Sequence, residues 1–124
     1  NSSKTPLFTL DERKRIISKV TEHIPNIEID VFDGLLAEYV NKHGFEAVVR
    51  GLRATTDFEY EIQMAQMNAR LYTGGTETVF LMTDPRYSFI SSSLIKEVVS
   101  YGGDVDGLLP DYANEMIKTK VDNQ

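Results

Sequence analysis

Cysteine is absent from the 124 residues. Disulfides and thiolate metal sites are therefore excluded, and a cytoplasmic location is the expectation, because oxidising compartments favour disulfide-bearing chains. No stretch approaches the ~20 apolar residues of a membrane-spanning helix, and no signal peptide opens the chain, so no membrane partner is expected. Positive charge is scarce, with 13 Lys and Arg against 19 Asp and Glu and a net charge of −6. That balance argues against a nucleic-acid partner, which would need a broad basic surface. An anionic ligand would have to be met by a few local cations. The Gly-Lys-Ser/Thr element of a Walker loop is missing, and so is any nucleophile–base pairing. His23 and His43 have no partner at ligand spacing; both read as structural or exposed, and no metal site is expected.

What is present is ordinary for one globular domain, residues 1–124: 41% hydrophobic and 26% charged. The chain starts with Asn1 rather than Met. Residues 1–6 read like the inside of a loop, as if the chain were processed, an excerpt, or missing its beginning. Thr9-Leu10-Asp11-Glu12 has the capping-box form and starts a helix running to about His23. Ile27, Ile29 and Val31 alternate with Glu28 and Asp30, predicting a half-buried strand. A short helix over 35–42 follows, closed by Gly44 as a left-handed residue. Residues 45–49 read as a buried strand, with Arg50-Gly51-Leu52-Arg53 as the loop after it.

Thr56-x-x-Glu59 is a second capping box, opening a helix over 58–72. Ile62, Ala65, Ala69 and Tyr72 form one apolar stripe with Phe58, and Met64, Met67 and Leu71 form another. Such a helix is expected to be covered twice, by its own sheet and by a neighbouring subunit. Residues 78–82 are nearly all apolar and predict a central parallel strand. A loop over 87–93, a helix over 94–101, and a last helix opened by Pro110 complete the chain. Strands alternating with helices predict an α/β fold with a parallel, doubly wound sheet. The leading helix needs a strand before it to make that pattern whole.

Two constellations suit an anion. Arg50 and Arg53 flank a glycine beyond a strand's carboxyl end, where α/β proteins bind ligands and where guanidinium groups grip phosphate. They read equally as surface arginines paired with Asp57 or Glu61. Ser91, Ser92 and Ser93 stand on the first turn of a helix, a seat for phosphate oxygens. They read equally as one cap and two small neighbours. Lys4 by itself reads as a solvated loop lysine.

Together the segments closely resemble the bacterial phosphopantetheine adenylyltransferases, of the nucleotidyltransferase superfamily. The resemblance runs from Ser3-Lys4-Thr5-Pro6-Leu7-Phe8-Thr9-Leu10 through Phe32-Asp33-Gly34-Leu35-Leu36 to Arg50-Gly51-Leu52-Arg53. It continues through Asp57-Phe58-Glu59-Tyr60-Glu61, Met67-Asn68, Val79-Phe80-Leu81-Met82 and Tyr87-Ser88-Phe89-Ile90-Ser91-Ser92-Ser93. It implies a Rossmann-like fold and transfer of the adenylyl group of ATP to 4′-phosphopantetheine, giving dephospho-CoA and pyrophosphate with Mg²⁺. It further implies that Lys4 and Arg50 hold the phosphopantetheine phosphate, that Leu36 lines the pantetheine pocket and that Asn68 touches the arm. Gly51, Leu52, Arg53 and Glu61 would sit at the nucleotide, with Tyr87, Ser88, Phe89, Ile90, Ser91, Ser92 and Ser93 forming the rest of its site. CoA is a further ligand, and a homohexamer of two trimers the implied assembly. The family's opening Pro-Gly-Thr-Phe-Asp-Pro…Gly-His signature, on an N-terminal strand-helix-strand unit, is not among these residues. The expectation is therefore that the 124 residues alone have little or no activity and carry no identified catalytic residue. The alternatives are a non-catalytic CoA- or nucleotide-binding module, and another adenylyl- or cytidylyltransferase of the superfamily.

Overall fold

The computed structural model describes residues 6–53 and 55–124, without the side chains of residues 55 and 56, so the expected roles of Lys4 and of the Thr56 capping hydroxyl lie outside the described part. Among the described residues five helices and two strands follow in the order α1 (Leu10–Val20), α2 (Leu36–His43), β1 (Ala47–Leu52), α3 (Thr55–Leu71), β2 (Glu77–Met82), α4 (Ser92–Ser100), α5 (Asp111–Asp122). A 3₁₀ turn, Pro85–Tyr87, precedes α4. The chain divides into two units, one of Phe32–Phe89 and one of Asn1–Val31 with Ile90–Gln124. Among the described residues no helix is long and apolar enough to cross a membrane.

The Phe32–Phe89 unit is built on a β1–α3–β2 crossover. β1 and β2 pair in parallel, with Arg50 opposite Phe80 and Gly51 opposite Leu81. Parallel neighbours cannot be joined by a hairpin, and the intervening helix is what the connection requires. α2 ends at Gly44, whose φ of 68° places it in the left-handed region that glycine tolerates. Asn41 then ties α2 to the end of α3. Its Nδ2 donates to the Leu71 carbonyl at 2.9 Å, and its Oδ1 accepts from the Thr73 N–H at 3.0 Å. These bonds satisfy backbone groups that a helix end leaves unpaired. Among the described residues, Ala37 and Val40 of α2, Leu52 of β1 and Asn68 of α3 are the buried side chains here.

In the other unit α4 and α5 pack around Ile95, Val99 and Val105, and α1 lies against α5. The turn after α4 brings Gly103 so close to Val98 that a Cβ there would lie 2.5 Å from the Val98 Cγ1, which only glycine avoids. α1 opens with the expected capping box. The Thr9 hydroxyl accepts from the Glu12 N–H at 3.2 Å, and the Glu12 carboxylate accepts from the Thr9 N–H at 2.9 Å. The same carboxylate accepts two hydrogen bonds from the Lys120 ammonium, at 2.8 and 2.9 Å, which joins α1 to α5 across most of the sequence.

Three expectations are corrected. Residues 27–31 form no strand, the sheet among the described residues being β1 with β2, and both Ile27 and Val31 are exposed. β1 starts and ends later than the apolar run 45–49, so Arg50, Gly51 and Leu52 belong to the strand and not to a loop. Its pairing with β2 carries the ladder to Leu52, and the Thr83 N–H extends it by donating to the Leu52 carbonyl at 2.8 Å. β2 is parallel as expected but not central among the described residues, since it has β1 as its one neighbour there and Leu81 and Met82 stand exposed.

The Lys120 hydrogen bonds, followed by the Thr9 amide, draw the Glu12 carboxyl down from 4.5 to about 2. A carboxyl whose folded value is depressed stabilises the protein above its unfolded value, and that contribution fades as pH falls through the folded one. Lys120→Ala is therefore predicted to be less stable than the unsubstituted chain at neutral pH, with the difference shrinking between pH 4.5 and about 2. Urea unfolding at a series of pH values checks this. A difference that does not change with pH would contradict it.

Candidate functional site

Side chains alternate along β1, so Val48, Arg50 and Leu52 share the face that α3 covers, while Val49 and Gly51 share the other. Leu52 fills the core at 2% exposure. Val48 and Arg50 instead border a cavity of about 280 Å³ under α3, close to the lower end of the roughly 300–1,000 Å³ of small-molecule sites. Its walls come from Phe32 and Leu36 before and in α2, from Tyr60, Glu61, Met64, Ala65 and Asn68 of α3, and from Tyr72 and Thr78. Glu61, Ala65, Asn68 and Tyr72 follow the i, i+4, i+7, i+11 spacing that keeps residues on one helix face. That face is polar at Glu61, Asn68 and Tyr72 and meets an otherwise apolar hollow. The Tyr72 hydroxyl is buried and has no hydrogen-bond partner among the described residues.

At one end of this hollow lies an ion pair. Arg50 donates from Nε to the Glu61 Oε2 at 2.8 Å and from Nη2 to Oε1 at 2.6 Å. The arrangement is a bidentate, side-on fork, the stronger form of such contacts. The Arg50 guanidinium holds the Glu61 carboxyl below the usual carboxylate range, and Glu61 in turn raises Arg50. The Glu61 side chain is 13% exposed and that of Arg50 46%, so the carboxylate is the sheltered partner and the guanidinium faces outward. Arg53 forms a separate pair with Asp57 at 2.8 Å, at the start of α3. Both pairings that the sequence left open are thus made. They fix where each guanidinium stands, and a guanidinium with five donors can meet an anion beside its carboxylate.

Of the residues drawn from the resemblance, Leu36, Arg50, Asn68 and Glu61 converge on this one cavity. Arg53 lies beyond the end of β1. Gly51 sits on the opposite face of the strand, and a Cβ there would meet nothing within 4 Å. Neither a turn nor packing demands glycine at this position, but bare backbone suits the close approach of a ligand. Leu52 contributes its side chain to the core, and its carbonyl is already bonded to Thr83.

The remaining residues divide between the units. Tyr87, Ser88 and Phe89 close the Phe32–Phe89 unit. There the Ser88 hydroxyl donates to the Pro85 carbonyl at 3.2 Å, and the Arg86 guanidinium lies 5.3 Å from the centre of the Tyr87 ring. Ile90, Ser91, Ser92 and Ser93 belong to the other unit, where Ile90 packs against the α4–α5 core. Ser91 is the N-cap of α4, its hydroxyl accepting from the Leu94 N–H at 3.1 Å, and Ser92 and Ser93 are the exposed first residues of the helix. The capping reading of the triplet therefore holds for Ser91.

The sequence reading missed Phe32, Val48, Tyr60, Met64, Ala65, Tyr72 and Thr78 as walls of the hollow. For Ala65 and Tyr72 the signal is present in their helical spacing from Glu61, but both also fit the apolar Ile62 stripe. The β1 alternation of Val48 with Arg50 became visible only once the strand's true limits were known.

Comparison with known proteins shows which family the chain belongs to. Residues 1–98 match the family described as cytidylyltransferase-like, whose Rossmann-like doubly wound α/β topology the β1–α3–β2 crossover fits. A protein 47% identical over 120 residues, spanning 97% of this chain and 74% of its own length, is the phosphopantetheine adenylyltransferase of Caldanaerobacter subterraneus subsp. tengcongensis. The chain belongs to the cytidylyltransferase-like family and, within it, to the phosphopantetheine adenylyltransferases.

Proposed function

We propose that the chain acts in the transfer of the adenylyl group of ATP to 4′-phosphopantetheine, giving dephospho-CoA and pyrophosphate, and that the cavity under α3 receives the acceptor. The observation that carries this is the convergence of Leu36, Arg50 and Asn68 on one hollow. A phosphate belongs at the cationic end, at Arg50. The apolar walls and the Asn68 amide suit an arm that alternates hydrocarbon with amide groups.

In the reaction an oxygen of the acceptor phosphate attacks the α-phosphorus of ATP. A new phosphoanhydride bond forms as the bond to pyrophosphate breaks. No covalent enzyme intermediate is needed, so the protein's work is to hold the two phosphates in line and to balance charge. Arg50 neutralises the acceptor. Arg53, the backbone at Gly51 and Leu52, residues 87–90 and the serine-headed start of α4 are read as the nucleotide's contacts, and Lys4 as a second cation for the acceptor. Among the described residues no three acidic or histidine side chains form a metal-holding group. Mg²⁺ is accordingly read as arriving on the ATP phosphates, the usual arrangement for this ion.

The family match over residues 1–98 crosses the boundary between the two units, which supports reading the chain as one nucleotidyltransferase domain. Met67 and Leu71 are exposed on one side of α3. That surface supports contact with further copies and the homohexamer of two trimers. CoA as a ligand of the same cavity, and a cytoplasmic location, are parts of the same reading.

Arg50→Ala is predicted to weaken 4′-phosphopantetheine binding roughly ten- to a hundredfold, the loss typical of hydrogen bonds to a charged group, with little change for ATP. Calorimetric titration of each ligand checks this, and equal losses for the two would count against the assignment. Gly51→Ala is predicted to fold as stably as the unsubstituted chain, or to gain on the order of 0.5 kcal/mol, while ATP binding falls by roughly tenfold or more. An unaltered ATP affinity would remove Gly51 from the nucleotide site.

A further inference from the structure

The Arg50–Glu61 pair leaves the guanidinium half used. Glu61 takes the Nε–Nη2 edge through both of its oxygens. The Nη1 side carries no hydrogen bond among the described residues. Because a guanidinium is planar, two hydrogen bonds on one edge fix the direction of the other. Without them the outward-facing Arg50 would be a long, freely rotating side chain that must be ordered each time an anion binds. The carboxylate that does the fixing is itself anchored, sheltered on α3 one helical turn before Ala65 and two before Asn68, on the face that lines the cavity.

We infer that Glu61 is the positioning residue of the acceptor site, holding the Arg50 guanidinium so that its free edge meets the acceptor's phosphate. This rests on the reading that Arg50 receives that phosphate. It gives Glu61 a role on the acceptor side of the reaction, beside the nucleotide contact that the resemblance implies. The opposite role is also physically open to a carboxylate on an arginine, as a stand-in anion that the ligand must displace. Geometry favours positioning, because the side-on fork occupies one edge only and the phosphate does not need that edge.

Glu61→Gln separates these roles. The amide is isosteric, but it presents a donor where Nη2 needs an acceptor, so one of the two bonds is lost and the guanidinium turns. Titrations compare 4′-phosphopantetheine with pantetheine, which lacks the phosphate, on the unsubstituted chain and on Glu61→Gln. The expected result is a roughly three- to tenfold loss for the phosphorylated ligand, the value of one hydrogen bond, with pantetheine unchanged. Equal losses for both ligands would show a merely structural role and overturn the inference. So would tighter binding of 4′-phosphopantetheine, which is the signature of a displaced stand-in, or no change at all. If the unsubstituted chain itself does not prefer the phosphorylated ligand, the acceptor reading fails first, and the two failures are thereby told apart.

Discussion

The parallel ladder between β1 and β2 is the constraint from which the site descends. Once Ala47 pairs with Glu77 and Leu52 with Met82, every β1 side chain is assigned to a face. Val48, Arg50 and Leu52 turn toward α3, and Gly51 turns away. A slip of one residue would send Arg50 to the bare face and place Gly51 under the helix. The connection between parallel strands must be long, and α3 is that connection. One ladder therefore supplies both the cation and the helical wall that faces it.

α3 is more than a cover. Its spacing of Glu61, Ala65, Asn68 and Tyr72 puts a carboxylate, a small gap, an amide and a phenol along one line. Ala65 leaves room, and the polar residues on either side give that room direction. The carboxylate meets Arg50, so the charged end of the hollow is fixed from two elements at once. A chain with six more acidic than basic residues can still bind a phosphorylated ligand, because its cation is local and held in place.

Local features of this fold were legible in the sequence, and non-local ones were not. The Thr9–Glu12 capping box and the left-handed Gly44 are decided within a few residues, and both stand as read. The limits of β1 are decided by a partner 30 residues away in sequence, as the pairing of Ala47 with Glu77 shows, and the apolar run at 45–49 did not reveal them. The alternation of Ile27, Ile29 and Val31 describes side chains and says nothing of a neighbouring strand, so it suggested a strand that does not form. Site residues follow the same division. Arg50 and Arg53 announced themselves by type and position, but nothing in the sequence alone said which carboxylate each would take. Tyr72 and Ala65 looked like packing because their neighbours were apolar.

The central claim is that the hollow under α3 seats the acceptor with its phosphate at Arg50. A crystal structure of the chain with 4′-phosphopantetheine bound tests it most directly. The account predicts the phosphate within hydrogen-bond distance of the Arg50 guanidinium, the Arg50–Glu61 fork intact, and the arm running along α3 past Asn68. A phosphate seated away from Arg50, or an arm outside this hollow, would contradict it.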